Sequence, residues 1–84
     1  MSVGAYVLIH CPEGRPAIEV YDRLLNLQQP GSRVVNAGCT YGGIGVVARV
    51  ELDSLDDLDV LRQTIVEMPE VGSVQSYILI GESS

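Results

Sequence analysis

Residues 41–80 read as one uninterrupted unit: a glycine turn, a strand, a capped helix and a second strand, with almost nothing spare. In YGGIGVVARVEL, Val46, Ala48 and Val50 alternate with other residues at the two-residue period of a strand, leaving Arg49 and Glu51 on the second face. In DSLDDLDVLRQTIVEM, Leu58, Leu61, Ile65 and Met68 recur at helical spacing. Ser54 followed by Asp57 fits a capping box in which aspartate stands for the longer glutamate. Asp56, Asp57 and Asp59 complement the positive end of the helix dipole. Pro69 stops the helix, and a last strand is predicted over about 71–80.

The first forty residues repeat the order. A strand is predicted over about 5–11, with Ala5, Val7, Ile9 and Cys11 on one face and Tyr6, Leu8 and His10 on the other. Both sets are largely apolar, so both faces of this strand expect cover. Pro12 and Gly14 break the chain, and Pro16 suits a first helical position. Ala17, Val20, Tyr21, Leu24 and Leu27 form a helical stripe that Ile18 and Leu25 widen, while Glu19 and Arg23 make an i,i+4 pair. This helix is predicted to end near Gln28, before Pro30-Gly31. The second strand follows over about 33–40, with Val35, Ala37 and Cys39 as its apolar face.

The order β-α-β-β-α-β, with right-handed crossovers and one hairpin, leaves an antiparallel sheet ordered 4-1-3-2 with both helices on one face. This is the α+β ferredoxin-like sandwich. One sheet face stays bare, and a second copy of the chain is expected to cover it in a dimeric α/β-barrel-like assembly. Residues 1–84 are expected to form a single domain with its core at about 4–81.

Composition agrees. A chain of 84 residues buries only about 60% of its unfolded surface, yet 46% of its residues are apolar; the excess is expected to meet another chain. The net charge is −6, with no lysine. That excludes a counterion-displacing nucleic-acid surface and a lysine Schiff base, and it opposes anionic membranes. No apolar run is long enough to span a bilayer and no signal peptide is evident, so a cytoplasmic protein with two free thiols is expected.

Few constellations carry chemistry. His10 and Cys11 are adjacent on a strand and point to opposite faces, so they do not close on one metal with Cys39. Cys11 and Cys39 end strands separated by a third, about 9–10 Å apart, too far for a disulfide; buried thiols are expected instead. Asp53, Asp56, Asp57 and Asp59 match no calcium loop and are explained by capping. Arg15 and Asn36 are the residue types acylphosphatases use on this fold, but the loop is too short for that phosphate cradle. The turn Gly42-Gly43-Ile44-Gly45 lacks the Lys-Ser/Thr of a phosphate loop; it serves either a hairpin needing positive φ or close backbone approach to a ligand or subunit.

AYVLI and YGGIGVVARVELDSLDDLDVLRQTIVEMPEV together resemble the effector-binding (RAM) domain of the Lrp/AsnC, or feast/famine, regulators, in its stand-alone form without a helix-turn-helix. The resemblance covers nearly all of the chain. It implies a non-catalytic module for effector binding and oligomerisation in transcription regulation. Its copies would dimerise through open sheet faces and assemble into a ring such as an octamer or decamer. A small effector, usually an amino acid, would sit near the β2–β3 turn. The implied ligand-binding residues are Gly42, Gly43, Ile44, Gly45 and Ser76, with no catalytic residue, metal or cofactor. Ile44 and Gly45 stand where the family has an aromatic and an acidic residue; Ser76 keeps one hydroxyl of the last strand, and Val74 replaces another. A DNA-binding relative is an implied partner, with no direct nucleic-acid or membrane contact. Two alternatives share the fold: an ACT-like amino-acid-binding domain, with its ligand at residues 11–15, and a dimeric α/β-barrel oxygenase or isomerase. The enzyme would use His10, Tyr6 and Tyr77 around a cavity between sheet and helices.

Overall fold

The computed structural model describes residues 3–12, 16–40 and 45–79. The elements run β1 (Val3–His10), α1 (Ala17–Leu25), β2 (Ser32–Cys39), β3 (Gly45–Leu52), α2 (Leu55–Val66) and β4 (Ser73–Ile78). All pairings are antiparallel, and the sheet order is β2-β3-β1-β4, the predicted 4-1-3-2 read from its other edge. Ala5, Val7 and Ile9 of β1 and Val46, Ala48, Val50 and Leu52 of β3 bury their side chains against Val20 and Leu24 of α1 and Leu58, Leu61 and Ile65 of α2. Both helices therefore cover one face, and the strands' other residues form the open face. The central strands carry most of the core because each is paired on both sides.

The start of α2 follows the predicted cap. Both the backbone N–H and the hydroxyl of Ser54 donate to Asp57 Oδ2, at 3.0 and 3.1 Å, and the Asp57 N–H donates to the Ser54 carbonyl at 3.2 Å. Asp57 also packs against the α1–β2 turn: a Cβ on Gly31 would lie 2.4 Å from its Oδ1. Gly31 has φ +84°, a conformation that suits glycine.

Four sequence expectations change. Pro16 is the N-cap of α1 and not its first helical residue; its carbonyl accepts from the Glu19 N–H at 3.1 Å. The helix stops at Leu25, short of Gln28: Asn26 is its C-cap, with its backbone N–H making the last helical bond to the Asp22 carbonyl at 3.2 Å and its Nδ2 donating to the same oxygen at 2.9 Å. Ile18 and Leu25 do not widen the buried stripe; both are exposed. The face of β2 also shifts. Val34 pairs with Val50 and Asn36 with Arg49, so Val35 is the extra residue of a bulge. Val34 and Ala37, not Val35, pack toward the helices, and Val35 is exposed. One inserted residue reverses the side-chain alternation, which unbroken alternation could not anticipate.

Glu70, just before β4, is buried and paired with Arg23 of α1, whose second nitrogen lies 3.3 Å from Glu70 Oε2. The predicted Glu19–Arg23 pair is present but longer, at 3.9 Å. Among the described residues, no helix is long and apolar enough to cross a membrane.

Candidate functional site

The β2–β3 turn leaves and re-enters the sheet through a closed pair. The Thr40 N–H donates to the Gly45 carbonyl at 2.8 Å, and the Gly45 N–H donates to Thr40 Oγ1 at 2.6 Å. Of the expected site residues between them, Gly42, Gly43 and Ile44 lie outside the described residues. Gly45 has φ +124°, and a Cβ there would meet the Ile9 carbonyl oxygen at 2.8 Å and Cys11 Sγ at 3.3 Å. Backbone conformation and crowding by β1 therefore require glycine at this position.

Ser76 is half-buried on β4, opposite Val7 and on the helix side of the sheet. Gly45 stands opposite His10 on the other side of β1. The two are separated by two strand spacings, about 9–10 Å, and by three residues along β1, roughly 10 Å more. One chain does not bring Gly45 and Ser76 together.

The open face is laid out by the registers. Asn36, Arg49, Tyr6 and Tyr77 form one row across the sheet; Gly38, Val47, Leu8 and Gln75 form the next; Gly45, His10 and Ser73 lie nearest the turn. A cavity of about 260 Å³ is set into this face, lined by Leu8, His10, Ser73 and Gln75. Sequence reasoning passed over Ser73 and Gln75. The alternation in SVQSYI was a visible signal that they share a face with Tyr77, but their placement beside His10 depends on register. A larger groove of about 680 Å³ runs between the end of α1 and the start of β2, at the opposite end of the sheet from the turn.

The other candidates separate. His10, Tyr6 and Tyr77 stand on the open face, away from the helices, so they do not line a cavity between sheet and helices as the barrel-enzyme alternative requires. Asn36 is exposed opposite Arg49, and Arg15 lies outside the described residues, as does most of the loop an ACT-like ligand would use. Both cysteines are free, but only Cys11 is half-buried. Cys39 is exposed, contrary to the expected buried pair, because it ends an edge strand. Burial pushes the Cys11 thiol pKa up, with nearby Cys39 and Glu70 adding to the shift. Among the described residues, no three His, Cys, Asp or Glu side chains are placed to hold a metal ion.

A βαββαβ sandwich with one helix-covered face and one open face is a ferredoxin-like domain. No protein-family model matches the chain, and no curated protein does. Solved structures match along nearly all of it. FFRP-DM1 is 33% identical with a TM-score of 0.77, over 93% of this chain and 99% of that one. With that identity across both lengths, the chain belongs to the Lrp/AsnC (feast/famine) family of regulators. Two longer proteins share the fold. AsnC of E. coli matches with a TM-score of 0.78 and 23% identity, over 95% of this chain and 52% of its own. The transcriptional regulator NMB0573 of Neisseria meningitidis, solved in complex with L-Met, matches with a TM-score of 0.74 and 13% identity, over 98% of this chain and 52% of its own.

Proposed function

We propose that this protein is a non-catalytic module that binds a small-molecule effector, an amino acid, and assembles with copies of itself to modulate a transcription regulator. The observation that carries this reading is the 33% identity to FFRP-DM1 across 93% of the chain. The L-Met complex of the similarly folded NMB0573 supports an amino acid as the effector class. The open face, with half-buried Leu8 and Val47 at the centre of its rows and Tyr6 and Tyr77 exposed, supports pairing of two copies through their sheets; further assembly of such pairs into a ring belongs to the same reading. The net charge of −6 favours action through a DNA-binding relative over direct contact with DNA.

In this reading Gly42, Gly43, Ile44 and Gly45 line the effector site, the glycines supplying backbone N–H donors and clearance, and Ser76 adds a hydrogen bond. Because β1 separates Gly45 from Ser76 within one chain, this reading takes Ser76 from a neighbouring copy, and the site is complete only in the assembly. Native mass spectrometry of the purified protein, with and without an amino-acid pool, tests both halves. The expected spectrum shows a multiple of the subunit mass carrying a retained amino acid, with Gly43→Val losing ligand or ring while its melting temperature holds. A bare single copy, or a Gly43→Val protein that loses stability and assembly in equal measure, would overturn the reading.

A further inference from the structure

We propose that Thr40 is a positioning residue for the glycine turn: its hydroxyl stands in for its own carbonyl at the last rung between β2 and β3, and it withdraws the Gly45 N–H from the effector. This inference rests on the reading of residues 42–45 as lining the effector site, and it adds a residue outside that set.

Thr40 and Gly45 lie one position beyond Cys39 and Val46, the last residues paired between the two strands. In an antiparallel ladder, two residues bonded to each other exchange both backbone bonds, each N–H donating to the other's carbonyl. Half of that exchange is present, the Thr40 N–H donating to the Gly45 carbonyl at 2.8 Å. The other half runs to a side chain: the Gly45 N–H donates to Thr40 Oγ1 at 2.6 Å. The Thr40 carbonyl is thereby released from this rung where the chain leaves the sheet. At the return, Gly45 has φ +124°, with the Ile9 carbonyl and Cys11 Sγ close to where a Cβ would stand. A side chain sets the entry to the turn, and the lack of one sets the exit. An N–H engaged at 2.6 Å cannot also serve a ligand, so Gly45 lends the site clearance, and the backbone donors of the reading fall to Gly42 and Gly43.

Serine keeps this hydroxyl, and valine keeps the shape without it. Amide hydrogen exchange of the full chain, read by NMR, tests the rung with no ligand present. Relative to the central amides of β1 and β3, the Gly45 amide should exchange about fivefold or more faster in Thr40→Val than in the parent, and within about twofold of the parent in Thr40→Ser. Native mass spectrometry with a pool of the common amino acids reads the consequence for binding. The amino acid retained by the parent should need about fivefold or more higher concentration for half-occupancy in Thr40→Val, with Thr40→Ser restoring the parent's value within about twofold. Thr40→Ala should match Thr40→Val, which keeps the test intact if valine disturbs the strand end. Parent-like exchange at Gly45 in both hydroxyl-free variants overturns the inference, as does parent-like binding in both, or binding that Thr40→Ser does not restore; the effector reading stands in each case. A parent that retains no amino acid, with Gly45 exchange still following the hydroxyl, overturns the effector reading instead and reduces the rung to a structural bond.

Discussion

Gly31 and Gly45 have positive φ, 84° and 124°, and each is crowded where a Cβ would stand. At Gly31 the obstacle is the tip of the Asp57 side chain; at Gly45 it is the backbone carbonyl of Ile9. A side chain can swing away and a strand carbonyl cannot. Gly31→Ala is therefore expected to lower unfolding stability by about 1–3 kcal/mol, and Gly45→Ala to lower it further, both read from urea midpoints. The requirement at Gly31 was half legible, since Pro30-Gly31 announces a turn; the press of Asp57 against it was not. Glu70 was not legible at all. Its hydrogen bond from Arg23 holds its carboxyl below the usual carboxylate range. A carboxyl depressed in the folded state stabilises above its unfolded pKa of about 4.3 and loses that contribution as pH falls through the lower folded value. Stability of the parent should therefore fall more steeply than that of Glu70→Gln as pH is lowered from about 4.3, in urea titrations stepped downward from that pH.

Elements were easier to read than their faces. Helical spacing and the Ser54–Asp57 cap located α2, because a cap and a stripe depend on residues three or four apart. Ser54→Ala removes one of the two bonds to Asp57 and should cost about 0.5–1 kcal/mol by thermal unfolding. In β2 the bulge inverts what alternation implies. Val34→Thr places a hydroxyl in the partly buried layer and should cost about 1 kcal/mol or more, whereas Val35→Thr should stay within about 0.5 kcal/mol; thermal unfolding of the two variants checks the order. The reverse order would mean that the bulge is absent in solution. A bulge has no local signature in SRVVNAGC, since it arises from how β2 aligns with β3.

For the molecule as a whole, the open face is where the proposed assembly is exposed to test. Val47 lies half-buried on central strand β3, in the row it shares with Leu8 and Gln75. Val47→Glu sets like charges against each other when two such faces meet, and it leaves the helix-side core untouched. Sedimentation of this variant should show a folded single copy where the parent shows a larger species. A parent that sediments as a single copy at every concentration would remove the pairing and, with it, a site completed by Ser76 of another chain.

Element order, sheet order and the helix-covered core were open to reading from the residues alone, because periodicity, caps and breakers act over a few neighbours and chain connectivity allows few arrangements of six elements. The candidate site was legible only as a turn and a hydroxyl. That Gly45 and Ser76 fall on opposite sides of β1, that Ser73 stands beside His10, and that Arg23 meets Glu70 across 47 positions are matters of register and long-range packing. Those contacts are set when strands align and helices settle on the sheet. Residues far apart in the chain leave no local period from which such an alignment can be read.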